Sequence, residues 1–387
     1  MILNIIFWTS IFLLAHSYLL YPFIINILSR NKKGNKVTYT QEDDLPLVSI
    51  IMSVHNEEKV IEEKIKSIYE TSYPNEKIEL LIGSDRSTDR TNDICRSFKE
   101  KEDSIRFFPF DRRRGKPSVI NQLYKKSNSE ILILTDAKVY FTPDTIFELV
   151  KHFKNQKIDI VGGNIINQKI QKDGISVQEK AFMSREIQIK YNEGLIWGQT
   201  IGVYGAIYAI RKKEFTPIPD GFSVDDFYIT MSVLKRKGKA IMETNALTVE
   251  DVPNLISTEF RRKVRISAGN FQNLIKFFSC LFPPWSSLSF AFFSHKVIRW
   301  IGPILILLII ISNFFLLEEA LIFKLSFFTI LFLLILPLID LFLRKFNIHV
   351  VFLRFVTHFL TMNLALLIGL IKQLLGIKTY IWQPTRR

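Results

Sequence analysis

Hydrophobic positions divide this sequence into two apolar ends and a charged middle. The run Ile2–Leu28 carries no formal charge and is longer than the roughly 20 residues that a bilayer-spanning helix needs. A signal peptide is the alternative, but no basic residue precedes the run and no small-x-small cleavage site follows it. We therefore predict a retained N-terminal transmembrane anchor over residues 1–29.

The C-terminal part of the chain, residues 300–387, is predicted to form a second membrane region. Two apolar runs, Trp300–Leu317 and Leu325–Phe342, are expected to span the bilayer. A third run, Val350–Leu375, has basic residues on both flanks and is expected to span, to re-enter or to lie in the interface. Residues 277–299 are too short and too interrupted by proline for a span, so we predict an interfacial segment there.

Charge places the middle of the chain, residues 30–276, in the cytoplasm. Arg30, Lys32, Lys33 and Lys36 directly follow the N-terminal apolar run, and basic flanks of membrane segments face the cytoplasm. The formal net charge of +14 fits contact with anionic membrane lipids or with phosphate-bearing substrates. No DNA- or RNA-binding motif accompanies this charge, so we expect no nucleic-acid partner.

Composition excludes several classes of protein. A hydrophobic share of 48% excludes a disordered chain. The two cysteines, Cys95 and Cys280, cannot form a disulfide framework or a zinc cluster. A pure transporter is not favoured, because three or four spans would leave the long charged middle unexplained.

The middle segment alternates between strand and helix signals. Apolar runs at Leu47–Val54, Ile78–Ser84, Ile105–Pro109 and Glu130–Thr135 have the composition of buried strands, and stretches between them have the spacing of amphipathic helices. This alternation predicts an α/β fold with a doubly wound, mostly parallel sheet. Ligands of such sheets bind at the carboxyl ends of the strands.

Polar residues stand directly after three of the predicted strands. They are His55, Asn56 and Glu57 after the first strand, Asp85 after the second and Asp136 after the fourth. Each acid alone is typical of an ordinary turn or helix cap, but acids after three strands favour a binding site. Neither a G-x-G-x-x-G motif nor a G-x-x-x-x-G-K-[ST] phosphate loop is present, so the two commonest nucleotide-binding modes are not indicated.

Seven segments, in their order and spacing, resemble the family 2 glycosyltransferases, which are membrane enzymes with a GT-A fold that build polysaccharides. The segments are VSIIMSVHNEE (48–58), GSDRSTD (83–89), RRGKPSVIN (113–121), LTDAKVYF (134–141), GVYGAIYAIRKKEF (202–215), SVDDFYIT (223–230) and FRRKVRI (260–266). The resemblance runs from Leu47 to Leu274, and the apolar ends match the membrane helices of the family. It implies a GT-A glycosyltransferase domain over residues 30–276.

The resemblance implies a pocket for a nucleotide-sugar donor. Its members would be His55, Asn56, Glu57, Asp85, Lys116, Asp136, Lys138 and Arg265. Asp85 would accept a hydrogen bond from the imide N–H of uracil, because a carboxylate is a pure acceptor. Lys116 would lie near the diphosphate, although one more charge in a solvated basic loop is the alternative. Arg265 matches the arginine of the family's Q-x-x-R-W motif and would clamp the diphosphate.

The family's D-x-D metal motif is only half present. Asp136 matches its first acid, whereas Lys138 takes the place of the second. That second acid normally holds the Mg²⁺ or Mn²⁺ ion that bridges the leaving diphosphate, and a protonated lysine cannot ligate a metal. Two expectations stay open: Asp136 binds the metal with weaker support, or the Lys138 ammonium replaces part of the metal charge.

An acidic pair, Asp225 and Asp226, matches the family's pair whose second member is the catalytic base. Sugar transfer with inversion needs one carboxylate to take the proton of the acceptor hydroxyl. We expect Asp226 to be this base and Asp225 to orient it, while acids that merely cap a helix N-terminus are the alternative interpretation. The acceptor-binding residues that the resemblance implies are Tyr204, Gly205, Ala206 and Arg262.

The sequence therefore predicts a membrane-bound inverting glycosyltransferase of a bacterial inner membrane with a cytoplasmic active site. It would move a sugar from a nucleotide sugar, expected to be a UDP-sugar, to a glycan or lipid-linked acceptor in cell-surface polysaccharide synthesis. Membrane lipids and other polysaccharide-export proteins are the further partners expected. Two alternatives stay open: a transferase that forms a polyprenyl-phosphate-linked sugar, and a non-catalytic nucleotide-sugar-binding membrane protein.

Overall fold

The computed structural model describes residues 1–168, 175–251 and 255–376. The chain forms two compact units, which we call the sheet unit and the helical unit. The sheet unit contains Leu28–Gln168 and Arg185–Asp251, and the helical unit contains Met1–Ile27, Lys169–Ser184 and Val252–Ile377. The basic C-terminal tail, which belongs to the predicted membrane region, lies outside the described residues.

The strands of the described residues are β1 (Val48–Val54), β2 (Ile78–Asp85), β3 (Ile105–Phe110), β4 (Ile131–Thr135), β5 (Tyr140–Phe141), β6 (Ile160–Gln168), β7 (Ile207–Arg211) and β8 (Ala240–Asp251). The α-helices of the described residues are α1 (Ile2–Ala15), α2 (Tyr21–Ser29), α3 (Ile61–Tyr69), α4 (Thr91–Lys99), α5 (Lys116–Lys126), α6 (Thr145–Val150), α7 (Ser176–Trp197), α8 (Asp225–Lys235), α9 (Ile256–Lys276), α10 (Ser287–Phe292), α11 (Ile298–Trp300), α12 (Gly302–Leu316), α13 (Leu321–Arg344) and α14 (Val351–Leu374).

The strands of the sheet unit form one mixed sheet in the order β3-β2-β1-β4-β7-β6-β8-β5. β1 pairs in parallel with β2 and β4, and β2 pairs in parallel with β3. β7 runs antiparallel to both β4 and β6, whereas β6 and β8 are parallel. The predicted α/β fold is confirmed. The half built from β1 to β4 has the expected parallel pairing, whereas β7 and the edge strand β5, which is antiparallel to β8, make the sheet mixed.

The hydrophobic pattern explains where the core of the sheet unit lies. Every residue of β2 is buried, and all but one residue of β1 are buried, as expected for strands of a parallel sheet that is covered on both faces. α3 contributes Ile61, Ile65 and Ile68, which recur at helical spacing and are fully buried. They pack with strand residues in the main core cluster. The ends of the strands are therefore supported by a closely packed core.

The parallel register brings the carboxyl ends of β1, β2 and β4 to one edge of the sheet. Val54 of β1 pairs with Ser84 of β2, and Met52 of β1 pairs with Thr135 of β4. The loops that follow these strands therefore begin side by side. They carry the polar residues that were predicted to form a site.

Three helical segments of the described chain are long and apolar enough to cross a membrane: Ile2–Ser29, Leu321–Arg344 and Val351–Leu374. The first of them joins α1 and α2 through a π-helical turn, His16–Leu20. The run 350–375, for which several interpretations were open, forms one continuous helix of 24 residues, α14. By length and composition these segments are candidate membrane spans, as the sequence predicted for both apolar ends.

The predicted span Trp300–Leu317 has a different form from the other apolar runs. Its helix, α12, has 15 residues. α12 follows the segment Ser287–Trp300 at a bend of 62°, so the two together form a broken span or a re-entrant loop. The boundaries of the interfacial segment and of the C-terminal membrane region stay predictions.

A buried ion pair joins α13 and α14 within the helical unit. Arg354 Nε lies 3.1 Å from each carboxylate oxygen of Asp340. Asp340 and Arg354 are only 1% and 3% exposed. An isolated charge within an apolar helix is costly in a membrane, so pairing is the expected arrangement.

Candidate active site

The loops after β1 and β2 are tied to each other by hydrogen bonds. His55 Nδ1 donates to the Asp85 carbonyl over 2.8 Å, and the Thr88 amide donates to Asn56 Oδ1 over 2.8 Å. The Glu57 amide donates to the hydroxyl of the first residue of α4 over 2.8 Å. The predicted donor residues of these two loops therefore form one connected layer at the sheet edge.

Asp85 anchors the loop that leads into α5. Its Oδ1 accepts from the Arg114 amide over 2.6 Å, and its Oδ2 accepts from the Gly115 amide over 3.0 Å. Arg113 Nε lies 3.8 Å from the same carboxylate. Gly115 has a φ of 82°, a conformation that glycine adopts without strain. Asp85 thus fixes the backbone directly before Lys116.

Lys116, the first residue of α5, connects two acids that are far apart in the sequence. Its Nζ lies 2.8 Å from Asp136 Oδ1 and 3.4 Å from Asp225 Oδ2. Burial opposes the positive charge, but attraction to Asp136 and Asp225 outweighs burial and raises the pKa of Lys116. The ammonium is therefore charged, and it holds the edge of β4 next to the start of α8.

Asp225 and Asp226 form the first turn of α8, where the helix dipole favours negative charge. Asp226 Oδ1 accepts from the Phe227 amide over 2.9 Å. Asp225 is buried and Asp226 is half-buried. Burial and the neighbouring charge of Asp225 raise the pKa of Asp226, which moves this carboxylate toward the range that suits a general base.

The loop between α7 and β7 lies against Asp226. A Cβ placed on Gly205 would be 3.1 Å from Asp226 Oδ2, so the hydrogen of glycine is what lets the loop approach. The next residue, Ala206, accepts through its carbonyl from Thr135 Oγ1 over 2.9 Å and from the Asp136 amide over 3.3 Å. The predicted acceptor residues of this loop are thus brought beside both predicted acids.

Lys138 faces Glu57. Its Nζ lies 3.4 Å from Glu57 Oε2. Burial raises the pKa of Glu57 to about 7, although the charge of Lys138 opposes this effect. At neutral pH a share of Glu57 is therefore protonated, and Glu57 neutralises the Lys138 ammonium only in part.

Sequence reasoning did not select Lys64, which lies under the site. Its Nζ donates to Thr135 Oγ1 over 3.0 Å and to the Val139 carbonyl, and it lies 3.7 Å from the centroid of the Phe141 ring. Burial lowers the pKa of Lys64 well below its ordinary value, with the charge of Asp136 opposing. A signal was available, because the helical pattern of α3 puts this lysine on the apolar face.

Two further residues at the site were also missed. The Tyr208 hydroxyl is buried and has no hydrogen-bond partner among the described residues. Burial and the charges of Asp225 and Asp226 raise the pKa of this hydroxyl. Lys190 of α7 is buried as well, and its Nζ lies 3.5 Å from the centroid of the Tyr204 ring. Neither residue is marked by a signal in the sequence. Tyr208 is one more apolar residue of a strand, and Lys190 occurs in a helix in which polar and apolar residues are mixed on all sides.

The side chains at this edge do not fit a metal site built from two acids. Within the described residues there is no group of three or more His, Cys, Asp or Glu side chains that could hold a metal ion. Asp136 Oδ1 faces the Lys116 ammonium at 2.8 Å, and position 138 supplies a second ammonium in place of an acid. Asp136 thus faces the Lys116 ammonium directly, and position 138 offers no second carboxylate to a metal ion.

Arg262 and Arg265 lie on α9 in the helical unit. Arg262 Nη1 is 3.4 Å from Glu259 Oε2 on the same helix. The predicted roles of the two arginines at the acceptor and at the diphosphate stay predictions.

The geometry defines what the sheet unit can do chemically. A half-buried carboxylate, Asp226, lies beside a loop of small residues, and the ammonium groups of Lys116 and Lys138 border the same edge. Such a set can take a proton from a hydroxyl group and stabilise an anionic leaving group. The mixed sheet, with Asp85 at the end of β2 and Asp136 directly after β4, agrees with the layout that the resemblance to GT-A glycosyltransferases predicted.

A comparison with solved structures shows the same fold. The mannosyltransferase PcManGT from Pyrobaculum calidifontis, in complex with GDP-Man and Mn²⁺, matches with a TM-score of 0.73 over 96% of this chain and 99% of that chain, at 20% identity. Residues 49–216 match the family model described as Glycosyl transferase family 2. Residues 49–216 are therefore similar to the glycosyltransferases of family 2, and the likeness to PcManGT shows a shared fold.

Curated relatives agree with this family. The probable glycosyltransferase YdaM of Bacillus subtilis is 26% identical over 253 residues, which are 62% of this chain and 59% of the relative. The poly-beta-1,6-N-acetyl-D-glucosamine synthase of Staphylococcus aureus is 25% identical over 254 residues, which are 64% of this chain and 60% of the relative. The chain therefore spans about three fifths of these relatives and is related to polysaccharide synthases.

Proposed function

We propose that this protein is a membrane-bound inverting glycosyltransferase that moves a sugar from a UDP-sugar to a glycan or lipid-linked acceptor in cell-surface polysaccharide synthesis. One observation carries the proposal. The Lys116 ammonium lies within 3.4 Å of both Asp136, after β4, and Asp225, at the start of α8. This contact supports a single crevice in which the donor-side acid and the proposed base pair work together.

In the proposed reaction, the acceptor hydroxyl oxygen attacks the anomeric carbon of the donor from the face opposite the diphosphate. The new carbon–oxygen bond forms while the bond from the anomeric carbon to the diphosphate oxygen breaks, and its electron pair leaves with the nucleoside diphosphate. Asp226 takes the hydroxyl proton, and its raised pKa suits that role. A single displacement of this kind inverts the anomeric configuration.

The surroundings of Asp85 support a uracil base in the donor. The amides of Arg114 and Gly115 each take one acceptor position on the Asp85 carboxylate. Each carboxylate oxygen has two lone pairs, so Asp85 can still accept from an imide N–H. The PcManGT complex contains GDP-Man, so the fold alone does not select the nucleotide, and a screen of donors decides this part of the proposal.

Positive charge at the diphosphate is proposed to come from Lys116 and Lys138. PcManGT holds Mn²⁺, and Asp136 is the residue of this chain that would offer such an ion a carboxylate. Because Lys138 replaces the second acid and Lys116 already contacts Asp136, the ammonium groups are proposed to stabilise the leaving diphosphate.

The proposed location is a bacterial inner membrane, with the sheet unit in the cytoplasm. The basic flank from Arg30 to Lys36 supports this orientation. An acceptor that is attached to a lipid, or a glycan that grows at the membrane, would then be available at the bilayer surface. Other polysaccharide-export proteins are the proposed partners for a glycan product.

The test uses the purified full-length protein in detergent, with a membrane lipid extract as the source of acceptor. UDP-glucose, UDP-N-acetylglucosamine and GDP-mannose are supplied in turn, and the release of nucleoside diphosphate is measured. We expect release from a UDP-sugar, and Asp226→Asn should lower it by about two to four orders of magnitude. Asp220→Asn removes an exposed acid of the neighbouring loop and should leave the rate unchanged.

The same assay separates the alternatives. Nearly full activity of Asp226→Asn would contradict the proposed base and would favour a phosphate acceptor such as polyprenyl phosphate, which needs no deprotonation. No release from any donor, despite binding, would contradict the proposed reaction altogether.

A further inference from the structure

The inner face of α7 holds the loop that carries the proposed acceptor residues. The carbonyl of Lys190 accepts from Thr200 Oγ1 over 3.0 Å, and Glu193 Oε2 accepts from the Ile201 amide over 3.0 Å. One helical turn therefore fixes the start of the loop at two points. Lys190 and Glu193 are 4% and 0% exposed, so both contacts are shielded from water.

The side chain of Lys190 makes a third contact, with the same loop. Its Nζ lies 3.5 Å from the centroid of the Tyr204 ring, which is the geometry of a cation–π interaction. Tyr204 directly precedes Gly205, and Gly205 is the residue that lies against Asp226. Lys190 therefore contacts the residue that directly precedes the glycine lying against Asp226, the proposed base.

A buried lysine at this place needs a physical reason. Burial of an ammonium group is unfavourable unless nearby negative or polar groups compensate, and an apolar residue would pack α7 against the loop without this desolvation. The aromatic face of Tyr204 gives part of the compensation. The opposite charge of Asp226 gives a further part, because this carboxylate and Lys190 attract each other.

We propose that Lys190 is a positioning residue for the glycosyl transfer: its ammonium lies over the ring of Tyr204 and holds this residue, and with it the loop beside Asp226, and it adds a positive charge to the field around the proposed base. The inference rests on the proposed function, in which Asp226 takes the acceptor proton. It assigns to α7 a part in catalysis that the family match of residues 49–216 does not identify.

Charged groups on several elements act on Asp226. Burial and Asp225 on the same helix raise its pKa, whereas Lys116 of α5 and Lys190 of α7 lower it. Tyr208 of β7 also lies within the field of this carboxylate. Removing the charge of Lys190 therefore raises the pKa of Asp226. Since the base works only when ionised, the fall of activity on the acid side then begins at a higher pH.

The experiment compares Lys190→Met and Lys190→Arg with the wild type in the nucleotide-release assay, with the donor that the wild type uses fastest among UDP-glucose, UDP-N-acetylglucosamine and GDP-mannose. kcat/KM is measured across the acid and neutral pH range. We expect Lys190→Met to fall further below the wild type as the pH drops, by roughly tenfold at the acid end. Lys190→Arg keeps the charge and should retain the wild-type pH profile.

Two further variants make the result specific. Lys125→Met removes an exposed lysine of α5 and should leave both the rate and the pH profile unchanged. Tyr204→Leu removes the ring but keeps the ammonium, so kcat should fall while the acid side of the profile stays in place. This variant also separates the two parts of the proposal where Lys190→Met does not yield folded protein.

Each result of this experiment either supports or overturns the proposed role of Lys190. A parallel loss of activity at every pH in Lys190→Met, or a wild-type profile in that variant, overturns the charge role while the proposed glycosyl transfer stands. A wild type that releases no nucleotide from any of the three donors overturns the glycosyl transfer, and the inference with it. A shifted acid side in Lys190→Met, restored in Lys190→Arg, supports both.

Discussion

Gly205→Ala tests how closely the loop after α7 sets the position of Asp226. The new Cβ would lie 3.1 Å from Asp226 Oδ2 and 3.2 Å from Asp226 Cγ, where ordinary contact begins at 3.4 Å. The carboxylate or the loop must therefore yield by a few tenths of an ångström. Because a misplacement of 1 Å can cost about a hundredfold in rate, this displacement predicts a fall in kcat of roughly three- to tenfold.

The assay is donor-dependent nucleotide release, with kcat and KM for the donor determined separately. We expect the loss in kcat, since the substitution touches the proposed base and not the donor loops. The thermal unfolding midpoint should stay close to that of the wild type, because Gly205 is not fully buried and the required shift is small.

Two other glycines of the sheet unit serve as matched controls. Gly34→Ala places its Cβ 3.7 Å from Leu195, an ordinary contact, so kcat and stability should not change. Gly202 has a φ of 79°, and a Cβ there would lie 2.5 Å from the Phe227 ring, so Gly202→Ala should unfold at a lower temperature. A Gly205→Ala enzyme with the kcat of Gly34→Ala would refute the reasoning, because Asp226 would then tolerate displacement or have no role in the rate.

The remaining predictions concern the cations and the orientation. If the Lys138 ammonium replaces the charge of a metal ion, EDTA should leave much of the nucleotide release intact. Lys138→Ala should then lower the release more than chelation does. Complete loss of release with EDTA would contradict this role of Lys138. A cysteine at Lys36 should be protected from an impermeant thiol reagent in intact cells, whereas one at Glu318, between α12 and α13, should be labelled. Labelling at Lys36 would overturn the cytoplasmic assignment. The native thiols, Cys95 and Cys280, are buried and should stay unlabelled.

The first half of the fold could be predicted because its signals are local. β1, β2 and β4 are short apolar runs that end at polar residues, and parallel pairing puts these ends together without further information. The second half depends on pairings over long distances, such as that of β6 with β8. The antiparallel insertion of β7 between β4 and β6 has no counterpart in the hydrophobic pattern, which is the same for either strand direction.

The candidate site shows a similar division. Asp85 and Asp136 could be selected by type and position, as acids after predicted strands, whereas Asp226 was selected through the family resemblance. Buried lysines are harder to select. Lys64 was not selected, although the helical pattern of α3 places it on the apolar face. Lys190 occurs in a helix without a clear apolar face, so only the packing of α7 shows that its ammonium group is buried.

The Asp340–Arg354 pair has a consequence for the biogenesis of this protein. The charge of Asp340 or Arg354 would raise the free energy of inserting its own helix if that helix entered the lipid alone. This cost is removed when the partner helix is already alongside and the two charges pair. α13 and α14, joined by a short turn, are therefore expected to integrate as a hairpin and not one after the other. Removal of one charge should impair insertion more than removal of both.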